Sequence, residues 1–178
     1  ISVYEGSLND FGDSKTAMSS NWYKKWYQRN KLVDLKNNLY NWFHNIVKSE
    51  SNVNLWTCFQ GEEDKNNRQE KVFRQALKGD SYSKGFESCN CRATNKHRDR
   101  TNIAYPVNWF FNPAIGEFFK EKGVLNEAEV IRQEEYFALT NLLQFIFRSG
   151  IRDGLPINLY LPPKRMRNIL SQWINGGI

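Results

Sequence analysis

Short apolar runs alternate with helical stripes along most of this chain, and that alternation constrains the fold more than any other feature. Residues 53–59, 85–89, 103–111 and 157–161 are apolar runs bounded by polar turns, the signature of buried strands. Between them lie helical patterns over 66–77, 115–121 and 126–152, and a last helix spans 164–175. Strands separated by helices predict a parallel sheet covered on both faces, because a parallel connection must cross over the sheet. The expected fold class is therefore α/β. Residues 1–5 read as one more short strand, and residues 21–47 as two aromatic-rich helices. No internal repeat or low-complexity tract interrupts the pattern.

The strongest helical pattern runs toward Arg152. Phe137, Leu139, Leu142, Leu143, Ile146 and Phe147 recur at spacings of three and four, forming a stripe that faces a core. Gln144, Arg148 and Arg152 stand four apart and share a different face of that helix. Guanidinium groups aligned in this way suit an anion, since the fork binds phosphate bidentately. Gly154 and Pro156 stop the helix, and Asn126 followed by Glu127 and Glu129 marks its start.

A chain of 178 residues suffices for one domain with a full core. Lys and Arg outnumber Asp and Glu by 25 to 19, a moderate excess compatible with a nucleic-acid or nucleotide partner. Cys58, Cys89 and Cys91 form no disulfide framework, and with His44 and His97 they complete no zinc spacing. The expectation is no metal site and free thiols in a reducing cytoplasm. No apolar run approaches the ~20 residues a membrane span needs, and no signal-peptide pattern is present. The first residue is Ile1, so the chain reads as a piece of a longer protein or a processed one. Gly12-Asp-Ser-Lys15-Thr16 imitates the end of a phosphate-binding loop, but Asn9 and Ser14 stand where that loop needs glycines. Trp22, Tyr23, Trp26 and Tyr27, interleaved with Lys24, Lys25 and Arg29, fit core packing better than base stacking.

Open parallel sheets take ligands beyond the carboxyl ends of their strands. The polar cluster Asn90, Arg92, Thr94 and Asn95 follows one predicted strand, and Gln144, Arg148 and Arg152 form a second cluster. Neither contains a nucleophile–base pair or close carboxylates, so both suit phosphate binding rather than unaided hydrolysis.

Three segments in this order, Trp56-Thr-Cys-Phe59, Gly85 to Asn95, and Gln144-x-x-x-Arg148-x-x-x-Arg152, resemble the second RecA-like domain of a superfamily 2 helicase, of the kind found in prophages and mobile elements. The resemblance covers roughly residues 50–175 and implies counterparts of motif IV at 56–59, motif V at 92–95 and motif VI at 144–152. Phe147 replaces the usual motif VI glycine, and the second arginine falls one position late. The resemblance implies a RecA-like C-terminal motor domain over 49–178, preceded by a helical linker over 1–48. It implies Arg148, Arg152 and Gln144 as the catalytic group. It also implies nucleic-acid contacts from Arg92, Thr94, Asn95, Lys96, Arg98 and Arg100. ATP and Mg²⁺ would be held by an absent first RecA-like domain, so this chain alone should hydrolyse little ATP. The implied partners are that domain and DNA, with RNA the other candidate.

Two other readings fit the residues. A stand-alone nucleic-acid module would use Lys96, Arg98, Arg100, Lys164, Arg165 and Arg167 on phosphates. A mobile-element interaction domain would do neither. The 96–100 loop could instead be a salt-bridge cluster, with Asp99 neutralising Arg98 or Arg100. The basic start of the last helix, Lys164-Arg-Met-Arg167, opposes the helix dipole and so favours a nearby anion.

Overall fold

A computed structural model of the chain describes residues 1–26, 29–60, 72–90 and 95–177. Four short strands, β1 (Ser2–Val3), β2 (Asn54–Trp56), β3 (Asn102–Ala104) and β4 (Asn158–Tyr160), form one sheet in the order β1-β4-β3-β2. Every pairing is parallel. The described helices are α1 (Ser20–Trp26), α2 (Asn30–Asn41), α3 (Val72–Leu77), α4 (Pro113–Glu121), α5 (Glu127–Ile146) and α6 (Lys164–Ile174).

Strand pleating divides the core in two. Leu55, Ile103 and Leu159 point to one face, where they meet Leu139, Leu142, Phe145 and Ile146 of α5 and Met166, Ile169 and Leu170 of α6. Trp56, Ala104 and Tyr160 point to the other, against Leu32, Leu35 and Leu39 of α2 and Phe73 and Leu77 of α3. The result is the expected parallel α/β sheet with helices on both faces.

The register is marked by one residue type. Asn54, Asn102 and Asn158 stand opposite one another at the heads of three strands. Asn158 Nδ2 donates to Asn102 Oδ1 at 2.8 Å, and Asn102 Nδ2 reaches Asn54 Oδ1 at 3.4 Å. Ser49 Oγ (2.6 Å) donates to Asn54 Oδ1, while Asn54 Nδ2 donates to the Ser81 carbonyl (3.1 Å), so the row ends satisfied.

Five expectations change. Residues 1–48 are no separate linker: β1 pairs with β4, and Leu35, Leu39, Trp42 and Phe43 are buried against Trp56 and Tyr160. The strand expected at 85–89 shrinks to a single parallel bridge, Trp56 to Phe86, after a 3-10 turn at Ser83–Gly85. The run 103–111 leaves the sheet after Ala104, because Pro106 has no N–H for a ladder. The long helix ends at Ile146 instead of Arg152. There Ser149 Oγ donates back to the Ile146 carbonyl at 2.6 Å and starts a 3-10 turn, Gly150–Asp153, closed by Gly154 at φ 77°. Of the expected stripe on this helix, Phe137 and Phe147 are exposed, while Ala138 and Phe145 are buried. The helix expected at 66–77 is described only from Val72. The predicted start at Asn126 holds as a full capping box with Glu129.

Candidate functional site

Beyond Trp56 the chain continues through Thr57, Cys58, Phe59 and Gln60 past the carboxyl end of β2. Phe86 bridges to Trp56, and Glu87 N donates to the Trp56 carbonyl at 3.0 Å, which brings residues 88–90 alongside. A pocket of about 300 Å³ opens here, lined among others by Lys24, Phe59, Gln60, Ser88, Cys89 and Asn90. It lies where open α/β sheets receive ligands.

Arginines from the turn after α5 hold the edge of this region. Arg148 is only 5% exposed; its Nη1 donates to the Ser88 carbonyl at 3.2 Å, and its guanidinium lies 5.5 Å from the Phe145 ring centre. Arg152 is exposed, and its Nη1 donates to Asn95 Oδ1 at 2.6 Å. Between them Gly150 N donates to the Arg100 carbonyl at 2.8 Å. Arg98 Nε donates to Asp153 Oδ2 at 2.7 Å. Buried His97 Nε2 meets Glu87 Oε2 at 2.9 Å. Residues 87–90 and 95–100 are thus tied to 147–154 at several points.

Gln144, Arg148 and Arg152 do not share a helix face, because the helix ends between the first and second of them. Gln144 is exposed on the last turn of α5. The structure brings Arg152 against Asn95, the last residue of the segment expected to be motif V, and Arg148 against Ser88, which precedes that segment. Within that segment Asn95 is in contact with Arg152, whereas Arg92 and Thr94 lie outside the described residues. Lys96 is exposed. Arg98 pairs with Asp153 instead of Asp99. Arg100 lies 3.5 Å from Asp99, and its Nη1 donates to the Ser51 and Asn54 carbonyls at 2.9 and 3.1 Å. Arg100 is therefore chiefly a strut under β2.

The basic start of α6 is likewise taken up internally. Arg165 donates to the Trp109 carbonyl (2.7 Å) and to Glu134 (3.1 Å), and Arg167 to the Leu161 and Pro162 carbonyls. Asp13 lies 3.7 Å from Arg167 and 3.9 Å from Lys164. The anion expected near this helix start is the chain's own carboxylate. Gly12 of the imitation phosphate loop packs so closely on Pro162 that an added Cβ would sit 1.8 Å from its carbonyl oxygen. Asn108 Nδ2 holds the Lys15 carbonyl at 3.1 Å, so that loop is an internal clamp.

Burial pushes the Cys89 thiol up to about 12, although nearby Arg148 pulls it down in part. A thiol held neutral is not an activated nucleophile. Among the described residues no group of three or more His, Cys, Asp or Glu could hold a metal ion. No described helix is long and apolar enough to cross a membrane.

Sequence reasoning missed the asparagine row, the Glu87–His97 clasp and the contribution of Lys24 to the pocket. Only the first had a signal: Asn-Leu, Asn-Ile and Asn-Leu head the three apolar runs at 54, 102 and 158.

Residues 1–174 match the model of a family described as the YonV C-terminal Rossmann-like domain. Over 174 residues the chain is 41% identical to the SPbeta prophage-derived uncharacterized protein YonV of Bacillus subtilis (strain 168). That alignment covers 98% of this chain and 38% of the relative, so the chain spans well under half of the relative's length. No solved structure matches the chain.

Proposed function

The chain belongs to the family of YonV C-terminal Rossmann-like domains, and from that premise we propose that it is the second motor domain of a mobile-element helicase or translocase. One observation carries the reading. Arg152, in the segment resembling motif VI, donates to Asn95 of the segment resembling motif V, and Arg148 donates to Ser88 ahead of it. A motor needs those two segments side by side, because one faces nucleotide and the other faces nucleic acid.

Their surroundings divide the roles. Arg148 is buried and braces the loop through Ser88. Arg152 is exposed on a short turn, where its Nη1 donates to Asn95, so it is the arginine offered to the phosphates of ATP. Gln144, also exposed, would help position them. ATP and Mg²⁺ would be held by a separate first motor domain. Among the described residues this chain supplies cations for phosphate and no carboxylate cluster for a metal. When bound, that pair supplies the transferable phosphoryl group and its charge neutralisation. Asn95, Lys96 and Arg98, with Arg92 and Thr94, would lie along the nucleic-acid backbone, DNA in the first instance. Such a motor works in the cytoplasm. The internal engagement of Arg100, Arg165 and Arg167 argues against a stand-alone basic module built on them.

The test is DNA-stimulated ATP hydrolysis by the full-length protein that carries this domain. Arg152→Ala should lower turnover by roughly 10³-fold, the usual worth of an arginine finger, while the fold stays intact. Turnover within about twofold of the parent would refute the assignment.

A further inference from the structure

We propose that the end of α1 and the start of α2 present a binding surface for single-stranded nucleic acid, with Trp26 as the platform on which a base stacks and Lys25, Arg29 and Lys31 as its phosphate contacts. Three cations gather round that one ring. Lys25 Nζ lies 5.2 Å, the Arg29 guanidinium carbon 5.8 Å and Lys31 Nζ 4.5 Å from its centre. All three are exposed, and Trp26 is half-buried, whereas Trp22 and Tyr23 of the same helix are in the core. Among the described residues none of the three cations pairs with a carboxylate.

The fold gains little from this arrangement. Three positive charges gathered round one ring repel one another, the more so at low salt. The first turn of α2 carries no acidic residue, so Lys31 there also opposes the helix dipole. A polyanion relieves both terms, and the flexible stems can swing from ring to phosphate. An aromatic ring ringed by cations is the combination that single strands use, because unpaired bases offer a π-face and the backbone offers charge. A duplex hides those faces. This surface involves neither Arg148 nor Arg152, so the inference stands apart from the motor reading.

The experiment is fluorescence-anisotropy titration of a labelled oligothymidylate with the 178-residue chain across a range of salt. Trp26→Ala should weaken binding roughly 5- to 100-fold with the salt slope unchanged, and Trp26→Phe should restore most of it. The triple variant Lys25→Ala/Arg29→Ala/Lys31→Ala should lower the slope of log K against log salt by about 2, from roughly 0.7 per phosphate contact. Its side chains are exposed, so its thermal melt should match the parent's and a loss of binding cannot be put down to unfolding. Parent-like binding by the triple variant would overturn the proposal. So would failure of the parent to bind, or binding confined to phosphatidylserine vesicles, which would make the surface a membrane contact.

Discussion

Arg148→Ala should destabilise the fold, whereas Arg152→Ala should not. Arg148 is 5% exposed, donates a charged hydrogen bond to the Ser88 carbonyl at 3.2 Å, and lies 5.5 Å from the Phe145 ring centre. A hydrogen bond to a charged group contributes about 1.5–3 kcal/mol. The ring contact adds about 0.5–1 kcal/mol. Truncation also strands the Ser88 carbonyl, so the expected loss is about 2–4 kcal/mol. For a chain of this size that is a fall of roughly 5–15 °C in Tm, or about 1–2 M in the urea midpoint with m unchanged. Arg152 is exposed, and its removal should change stability by no more than about 0.5 kcal/mol. Urea titration of both variants beside the parent decides the matter. Should the two melt within about 0.5 kcal/mol of each other, Arg148 is no brace and the division of roles between the arginines fails.

Asn102→Ala breaks the middle of the asparagine row, removing bonds at 2.8 and 3.4 Å; we expect a loss of about 1–3 kcal/mol by urea titration. Gly85→Ala would bring a Cβ to 1.9 Å from the Asn54 carbonyl oxygen. The backbone must shift there at a cost of about 2 kcal/mol or more, and the Glu87 amide, now bonded to Trp56, should exchange faster with deuterium. Asp153 is held below the usual carboxylate range by the hydrogen bond from Arg98. Its contribution is thus present above the unfolded carboxylate pKa and is lost as pH falls through the lower folded value. Asp153→Asn should therefore flatten the acid limb of the stability profile and leave the alkaline limb unchanged.

The layered fold was legible because it rests on period and burial. The runs at 53–59 and 157–161 each contain a strand, 103–111 overlaps the end of one, and α6 spans nearly the predicted residues. What period cannot give is partner choice. Nothing in Ile1–Glu5 reveals that its two paired residues lie beside β4, over 150 positions away, so the first segment read as a linker. Spacing misled at Gln144, Arg148 and Arg152 because a four-residue repeat matters only while the helix lasts. Ser149 ends it by bonding back to Ile146, and Gly150 lets the turn approach the carbonyls of Arg98 and Arg100. The cations of α6 looked available for the same reason, since a sequence does not show that Leu161, Pro162, Glu134 and Asp13 surround them.

The contacts that tie 87–90 and 95–100 to 147–154 give the motor reading a mechanical consequence. Among the described residues the contacts between them include Arg148 to Ser88, Gly150 to Arg100, Arg98 to Asp153, and Arg152 to Asn95. They differ in burial. The Gly150 amide is buried with its glycine, and Arg148 is nearly so, whereas Arg152 and Arg98 are exposed and exposed pairs contribute little. A phosphate that draws Arg152 away would therefore release Asn95 at small cost while the buried contacts keep the two segments docked. Asn95 closes the segment expected to meet nucleic acid, so its freedom to move would then depend on what Arg152 holds. That dependence requires one weak contact beside stronger ones, and the difference in burial between Arg152 and Arg148 supplies it.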